Sequence, residues 1–396
     1  MKLSGRVQLI APSMTLAVSA KAKQLRSEGV DVIGFGAGEP DFDTPEHIKD
    51  AAKRALDEGF TKYTPSAGIP ELRQAICEKF KNDNGLDYTP EQILVSCGAK
   101  HSIFNAVQAL VDPGDEVIFQ APYWVSYPEM VKAAGGEPVI VEAGVDQGFR
   151  MTADQVCAAI TDRTALCILN SPSNPTGAVY GRDEILEIVD VLADRGIPVI
   201  SDEIYEKILY DGLTHTCVAS LRPEFKDLTI LVNGVSKTYS MTGWRIGYLA
   251  GPKEAVGAMT RLQDHSTSNP TSISQKAALA ALRGDQSAAA KMVEAFDERR
   301  RYIVEALNAI PGVRCPMPQG AFYVFPDVSG VYGKALGDGK TLNGSLELCD
   351  YLLDKARVAV VPGVAFGDDR CVRLSYATSL EAIKNGVQRI AETLTG

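Results

Sequence analysis

The sequence contains no uninterrupted apolar run of the roughly 18 residues that a membrane-spanning helix needs. It also lacks blocks of basic residues: Lys and Arg number 40 against 50 Asp and Glu, and the net charge is −10. We therefore expect neither a membrane nor a nucleic acid as a partner. A mildly apolar stretch at 9–20 follows two basic residues, but Pro12 and several hydroxyl residues interrupt it. This pattern predicts a mobile N-terminal arm rather than a signal peptide.

Metal-ligand patterns are scarce as well. The eight cysteines include no C-x-x-C pair, and the four histidines are scattered, so we predict no metal site. Several cysteines lie inside apolar runs, as Cys167 does. Such positions are typical of small buried side chains in a reducing compartment, which predicts a cytoplasmic location.

The middle of the chain alternates short apolar runs with helical patterns. Continuous apolar runs indicate parallel strands that are buried on both faces. They predict an α/β fold with a mostly parallel seven-stranded sheet covered by helices. A long amphipathic helix at 291–308, with short strands predicted beyond it at 320–325, 358–361 and 371–375, predicts a second and smaller α+β unit. The predicted strands of the large sheet are 92–97, 116–119, 138–142, 165–170, 199–204, 229–232 and 245–250.

Three glycines near the N-terminus invite comparison with a dinucleotide-binding turn. Gly34, Gly36 and Gly38 follow the pattern G-x-G-x-G, whereas the nicotinamide fingerprint is G-x-G-x-x-G. The next helical pattern begins only after Thr44 and Pro45, so the helix N-terminus that would hold a pyrophosphate is displaced. A nicotinamide dehydrogenase is therefore disfavoured.

Polar residues gather at the carboxyl ends of the predicted strands, where open parallel sheets bind ligands. Asp202 lies in an apolar run, and a buried carboxylate needs a cationic or hydrogen-bonding partner. Taken alone, Asp202 also fits a helix cap or an internal salt bridge. Lys237 follows another apolar strand, and a desolvated lysine amine can form a Schiff base with a carbonyl. A Schiff-base lysine with an acid at the pyridinium nitrogen is the pairing that pyridoxal phosphate requires.

Five motifs stand in a fixed order along the chain: 38–45 (GEPDFDTP), 173–177 (SNPTG), 201–205 (SDEIY), 237–247 (KTYSMTGWRIG) and 373–375 (RLS). Together they resemble the class I aminotransferases of fold type I, and more closely the bacterial branch of aspartate and aspartate/prephenate enzymes. The resemblance covers nearly the whole chain. It implies a pyridoxal-phosphate-dependent transaminase of amino acid metabolism with a large cofactor-binding domain at 46–290. A small domain would comprise 291–396 and part of the N-terminal segment 1–45.

The resemblance implies catalytic roles for three residues. Lys237 would hold the cofactor and carry the proton, while Asp202 would keep the ring nitrogen protonated. Tyr205, with Asn174, would hydrogen-bond the phenolic oxygen of the cofactor. Trp124 would stack on the cofactor ring.

The remaining implied roles concern binding of the substrate α-carboxylate and of the cofactor phosphate. The substrate α-carboxylate would be held by Arg373 with help from Gly38, and substrate binding would also involve Trp124 and Asn174. A homodimer with shared active sites is implied, because one phosphate contact comes from the other subunit. The phosphate contacts would be Gly98, Ala99, Lys100, Ser236, Arg245 and, from that other subunit, Tyr63.

Two positions depart from the enteric and animal branch of the family. That branch places an arginine for the distal carboxylate four residues before Ser-Asn-Pro, but this chain has Asp264 there. It also has a histidine three residues after the stacking tryptophan, where this chain has Tyr127. Lys100 is then the available cation for an acidic substrate side chain.

The resemblance therefore implies a transaminase that moves the amino group of aspartate or glutamate to a 2-oxo acid by a ping-pong mechanism. An aspartate/prephenate or aromatic aminotransferase, or a carbon–sulfur lyase, would use the same cofactor residues. A non-enzymatic sensor on this fold would carry an added DNA-binding segment, and the sequence has no basic region for one.

Overall fold

The computed structural model describes residues 1–395 and has the α/β architecture predicted from the apolar runs. Helices and strands alternate through the middle of the chain. Short strands lie near both ends. The strands are β1 (Ile33–Gly34), β2 (Ile93–Ser96), β3 (Glu116–Ala121), β4 (Glu137–Glu142), β5 (Thr164–Asn170), β6 (Val199–Asp202), β7 (Thr229–Gly234), β8 (Gly247–Ala250), β9 (Tyr323–Val324), β10 (Val358–Ala359), β11 (Val361–Pro362) and β12 (Val372–Ser375).

Local capping sets several helix boundaries. Thr152 forms a capping box with Gln155 at the start of one helix, which satisfies two otherwise free backbone donors. Gly135, at φ 90°, ends another helix in the left-handed region. The helices are α1 (Gly5–Gln8), α2 (Met14–Ser27), α3 (Glu46–Asp57), α4 (Pro70–Asn84), α5 (Ala99–Leu110), α6 (Tyr127–Ala134), α7 (Ala153–Ala159), α8 (Arg182–Ala193), α9 (Phe225–Leu228), α10 (Lys253–Asp264), α11 (Ser272–Arg283), α12 (Ser287–Asn308), α13 (Ser345–Tyr351) and α14 (Leu380–Thr395).

The large sheet has seven strands in the order β2-β8-β7-β6-β5-β3-β4. Six of the seven strands run in the same direction and β8 alone runs in the opposite one, so the predicted mostly parallel sheet is confirmed. Asn170 pairs with Asp202, and Asp202 pairs with Val232. This register places the carboxyl ends of β5, β6 and β7 side by side, so the residues that follow them meet at one edge.

Apolar residues cover both faces of this sheet. Val117 and Phe119 of β3 pack with α5 and α6 on one face, while Ile118 between them packs with α8 on the other. A third cluster joins α3, α4 and α11 to β2 and β8. Each large apolar side chain buried in this way contributes about 1.5–3 kcal/mol. The sheet is therefore a rigid platform for the residues at its edge.

Both ends of the chain contribute to a second group of strands. β9, β11 and β12 form an antiparallel sheet, and β1 pairs with β10 in parallel. The long helix α12 packs with α14 and these strands around Phe296 and Leu374. The glycine-rich segment after β1 is thereby brought close to β12.

Some element boundaries differ from the predicted ones. The strand predicted at 320–325 is only β9, because Ala321 adopts a left-handed φ of 56°. Arg245 has a φ of 55°, so β8 begins two residues later than predicted. The N-terminal arm contains α1 and α2, which Ser4 and Ser13 cap. Within residues 1–395, no helix is long and apolar enough to cross a membrane.

Candidate active site

A cavity of about 480 Å³ opens where β5, β6 and β7 end. Gly98 does not line the cavity itself but lies next to it, at the N-terminus of α5. Tyr63 lies elsewhere and is 92% exposed. The other predicted site residues all line the cavity: Gly38, Ala99, Lys100, Trp124, Asn174, Asp202, Tyr205, Ser236, Lys237, Arg245 and Arg373.

Lys237 follows β7 and points its amine into the cavity. Its Nζ donates a hydrogen bond to the carbonyl oxygen of Gly38 and lies 5.9 Å from the centre of the Tyr205 ring. Burial lowers the pKa of Lys237 to about 8, although the charges of Glu39 and Asp202 act in the opposite direction. The amine is therefore neutral in a far larger fraction of molecules near pH 8 than an exposed lysine, and a neutral amine is the nucleophilic form.

Asp202 ends β6 and is 4% exposed. Its Oδ2 accepts a 2.7 Å hydrogen bond from the Tyr127 hydroxyl, and its Oδ1 accepts a 3.4 Å bond from the Ile204 backbone N–H. Burial raises the pKa of Asp202 to about 6, against the lowering effect of the Tyr127 hydrogen bond. Its hydrogen-bond partners in the described chain are neutral, so Asp202 is suited to face a protonated ring nitrogen.

Arg373 lies on β12 and is 3% exposed. Its Nη1 donates to Asn174 Oδ1 at 2.9 Å, and its Nη2 donates to the Gly36 carbonyl at 2.8 Å. The guanidinium also lies over the rings of Tyr323 and Phe366, at 4.6 and 5.0 Å from their centres. All of these partners are uncharged, and burial lowers the pKa of Arg373. A buried cation without a counter-ion is expensive, so the site favours an incoming carboxylate.

A second group of residues at the cavity could also attract an anion. Gly98, at φ 92°, precedes the N-terminus of α5, whose free N–H groups attract negative charge. Arg245 donates to the carbonyls of Thr242 at 2.8 Å and Cys97 at 3.3 Å, again without an acidic partner. A Cβ on Gly247 would lie 2.1 Å from the Ala99 backbone nitrogen. Only glycine allows β8 to approach α5 so closely at this edge.

Three aromatic residues, Trp124, Tyr205 and Tyr323, complete the walls. Trp124 contacts the Tyr127 ring edge-on at 5.4 Å, and the Lys100 ammonium lies 4.9 Å from the Trp124 ring centre. Burial and, to a smaller extent, the charge of Arg245 lower the pKa of Lys100. The hydroxyls of Tyr205 and Tyr323 are 2.9 Å apart. The cavity thus combines a reactive amine, an acid and two separate anion sites.

The family model described as aminotransferase class I and II matches residues 30–390. The chain belongs to the class I and II aminotransferases. This aminotransferase is 52% identical over 390 residues to the aspartate aminotransferase of Geobacillus stearothermophilus, and the match covers 98% of both chains. It is 50% identical over 398 residues to the aspartate/prephenate aminotransferase of Nitrosomonas europaea, covering 100% of both. The crystal structure of the aspartate aminotransferase from Rhizobium meliloti superimposes with a TM-score of 0.96 at 46% identity, covering 100% of this chain and 99% of that one.

Several residues that line the cavity or lie beside it were not predicted as site residues from the sequence. Tyr127 stands out there only as a departure from another branch, yet its hydroxyl bonds Asp202. Asn170 ends β5 and donates to the Asp202 carbonyl at 2.9 Å. Tyr323 carries no motif beyond its place in a predicted strand. Its position among Tyr205, Gly38 and Arg373 depends on how β9 packs against the rest of the chain.

A separate buried charge cluster in the aminotransferase lies next to Asp202. Ligand atoms of Glu203, Glu206 and His215 lie within 4.8 Å of one another, a grouping that their sequence spacing does not predict. His215 Nε2 lies 2.6 Å from Glu203 Oε2, and Lys79 pairs with Glu206. Burial lowers the pKa of His215, but the two glutamates raise it more, so the net shift is upward. Lys79, together with His215 when it is protonated, would balance the charges of the two carboxylates.

Proposed function

We propose that this aminotransferase transfers the amino group of L-aspartate or L-glutamate to 2-oxoglutarate or oxaloacetate, using pyridoxal 5′-phosphate in a ping-pong reaction. The observation that carries the proposal is the meeting of Lys237, Asp202 and Arg373 in one cavity. The aspartate aminotransferases to which the chain is about 50% identical support the choice of substrate.

The residues of the cavity fit pyridoxal phosphate. The α5 N-terminus, Ser236 and Arg245 would hold the phosphate in the cradle that Gly247 keeps open. Asp202 would hold the proton of the ring nitrogen. When bound, the cofactor supplies an electrophilic carbonyl and a ring that accepts electrons from the substrate α-carbon. Trp124 would pack against the ring, and Asn174 and Tyr205 would hydrogen-bond its phenolic oxygen.

The chain's own residues then divide the catalytic work. Arg373 would grip the substrate α-carboxylate with two parallel hydrogen bonds, which fixes the orientation of the α-carbon. The neutral Lys237 amine would take the proton from that carbon and deliver it to the carbon of the cofactor that carried the carbonyl, acting first as base and then as acid. Because Lys237 has a pKa of about 8, both forms of the amine are accessible near neutral pH.

Recognition of a second substrate carboxylate is proposed for Lys100. Asp264 stands where the enteric and animal branch has its arginine for the distal carboxylate. It ends α10 and is exposed outside the cavity, and a carboxylate there cannot bind another carboxylate. The Lys100 ammonium lies over Trp124 at the cavity wall. A charge-assisted hydrogen bond to an acidic side chain in a closed site is worth about 1.5–3 kcal/mol.

A second candidate substrate class is prephenate. Relatives named aspartate/prephenate aminotransferase are about as similar to this chain, at 50–51% identity, as those named aspartate aminotransferase.

The decisive experiment records absorbance changes of the cofactor-loaded enzyme after adding single amino acids. Aspartate and glutamate should convert the cofactor rapidly, and alanine slowly. If aspartate and glutamate leave the spectrum unchanged, the proposed function is wrong. The second candidate is tested by first converting the cofactor with glutamate and then adding prephenate. Return of the original absorbance would show that prephenate accepts the amino group.

We also propose a cytoplasmic homodimer with shared sites. It would have a large domain at 46–290 and a small domain formed by 291–396 with part of 1–45. Tyr63 would reach the phosphate of the partner site, which would account for a 92% exposed aromatic side chain. Mixing Lys237→Ala with Tyr63→Ala subunits should restore one intact site per hybrid dimer. Activity of the mixture above the mean of its parents supports sharing, whereas activity at that mean excludes it.

A further inference from the structure

Tyr323 links two parts of the cavity that the mechanism treats separately. It begins β9 and is fully buried. Its hydroxyl lies 2.9 Å from the Tyr205 hydroxyl, and its ring lies 4.6 Å from the Arg373 guanidinium. The same hydroxyl is 3.2 Å from the point where a Cβ on Gly38 would lie. One side chain thus contacts the proposed cofactor-binding tyrosine and the proposed carboxylate clamp.

We propose that Tyr323 is a positioning residue that donates its hydroxyl proton to Tyr205 and so strengthens the hydrogen bond from Tyr205 to the cofactor. The proposal rests on the proposed function, because it assumes that Tyr205 donates to the phenolic oxygen. A hydroxyl has one proton to donate. Once Tyr205 has used its proton on the cofactor, its oxygen can only accept, and Tyr323 is the hydroxyl within reach.

The surroundings of Tyr323 favour this direction of donation. Burial raises the pKa of Tyr323, but the Arg373 charge acts in the opposite direction and makes the hydroxyl a better donor than it would be without that neighbour. Hydrogen bonds in a chain polarise one another in a low-dielectric interior, so Tyr205 becomes the better donor in turn. A better donor at the phenolic oxygen stabilises its ionised form. The Tyr323 hydroxyl should therefore lower the apparent pKa of the bound cofactor.

The ring of Tyr323 has a different task from its hydroxyl. The ring packs against the Arg373 guanidinium, and this contact survives in Tyr323→Phe but not in Tyr323→Leu. Tyr323→Phe should therefore change the cofactor pKa with little change in the KM for aspartate. Tyr323→Leu should also raise that KM, because Arg373 loses a packing surface. A residue that only filled space would not separate the two quantities in this way.

The test is an absorbance titration of the purified holoenzyme between pH 5 and pH 10. We expect Tyr323→Phe to shift the ionisation constant of the bound cofactor about two- to tenfold towards the protonated form. Tyr376→Phe is the matched control, because Tyr376 is equally buried but bonds Tyr210 and Ala321 outside the cavity. It should leave the ionisation constant unchanged.

A double-variant cycle shows whether the effect passes through Tyr205. In a Tyr205→Phe background, adding Tyr323→Phe should produce no further shift. An equal shift in both backgrounds, or no shift in the single variant, would overturn the inference. Failure of the proposed function has a different signature, because borohydride reduction of the wild-type enzyme would then leave no cofactor attached to Lys237.

Discussion

The Tyr127 hydroxyl donates a 2.7 Å hydrogen bond to Oδ2 of Asp202, and both residues are buried. Since Asp202 has no cation among its hydrogen-bond partners in the described chain, this bond is the main protein contact that keeps its carboxylate ionised. Tyr127 comes from the first turn of α6 and Asp202 from the end of β6, so the sheet and a surface helix together set the charge of the site.

Tyr127→Phe tests this relationship. Removing a donor to a carboxylate destabilises its charged form, so the pKa of Asp202 should rise above about 6. We expect the acid limb of the pH–rate profile to move up by about one pH unit, since such a bond is worth about 1.5 kcal/mol. The value of kcat/KM should therefore fall about twofold at pH 7 and about tenfold well below pH 6. Tyr123→Phe, a change in a half-buried neighbour, is the control. An unshifted acid limb would show that Tyr127 is not needed to ionise Asp202.

The depressed pKa of Lys237 predicts how apoenzyme should take up the cofactor. Attachment requires the neutral amine, so its rate should rise with pH and level off above about 8, rather than continue to rise towards pH 10. Stopped-flow absorbance at several pH values measures this rate. Lys237→Ala should show no covalent attachment. A midpoint near that of a free lysine would mean that Lys237 is solvated in the apoenzyme.

Lys100→Ser separates substrate recognition from cofactor binding. Loss of the ammonium should lower kcat/KM for aspartate and glutamate about ten- to a hundredfold, because only these substrates carry a second carboxylate. Alanine should be nearly unaffected when the cofactor is saturating. Equal losses on aspartate and alanine would assign Lys100 to the phosphate alone.

Gly247→Ala should close the proposed phosphate cradle. The new methyl group would lie 2.1 Å from the Ala99 nitrogen, so β8 or α5 must move. Overpacking of this size costs about 1–3 kcal/mol, and we expect cofactor affinity to fall about tenfold or more. Gly243→Ala is a matched control, since a methyl group on Gly243 would meet no neighbouring atom within 4 Å. Unchanged cofactor binding by Gly247→Ala would place the phosphate elsewhere.

His215 should make folding stability depend on pH. Its pKa is raised in the folded state, so the stabilisation is complete below the unfolded value of about 6.5 and is lost as pH rises through the higher folded value. Urea unfolding at a series of pH values from 5.5 to 9 measures this loss. His215→Gln should remove that part of the pH dependence. If the free energy of unfolding differed between wild type and variant by the same amount at every pH, His215 would not be the source of the pH dependence.

The sequence predicted what local pattern determines. Apolar runs placed the strands of the large sheet, and the order of strands and helices predicted its mostly parallel arrangement. Asp202 and Lys237 were recognised because a charged residue in or after a buried strand needs a chemical reason. The short strands β9 to β12 were less well bounded, because two to four residues carry little periodic signal.

The residues that the sequence did not reveal act through distant partners. Tyr127 meets Asp202 across 75 residues, and Tyr205 meets Tyr323 across 118. Nothing near either tyrosine distinguishes a hydroxyl in a network from an ordinary core aromatic. Only the packing of separate elements brings them together, so their contacts could not be predicted from spacing.

The hydrogen bond between Arg373 and the Gly36 carbonyl has a consequence for folding during translation. The two residues are 337 positions apart in the sequence, and β1 and its partner β10 are separated by a similar length of chain. The proposed cofactor-binding edge of the sheet is built from the central part of the chain, whereas the proposed carboxylate clamp needs both ends. On the ribosome, a nascent chain that has exposed everything up to β8 holds Lys237 but lacks Arg373. Under the proposed function, the capacity to bind a substrate therefore arrives last, with the final strand.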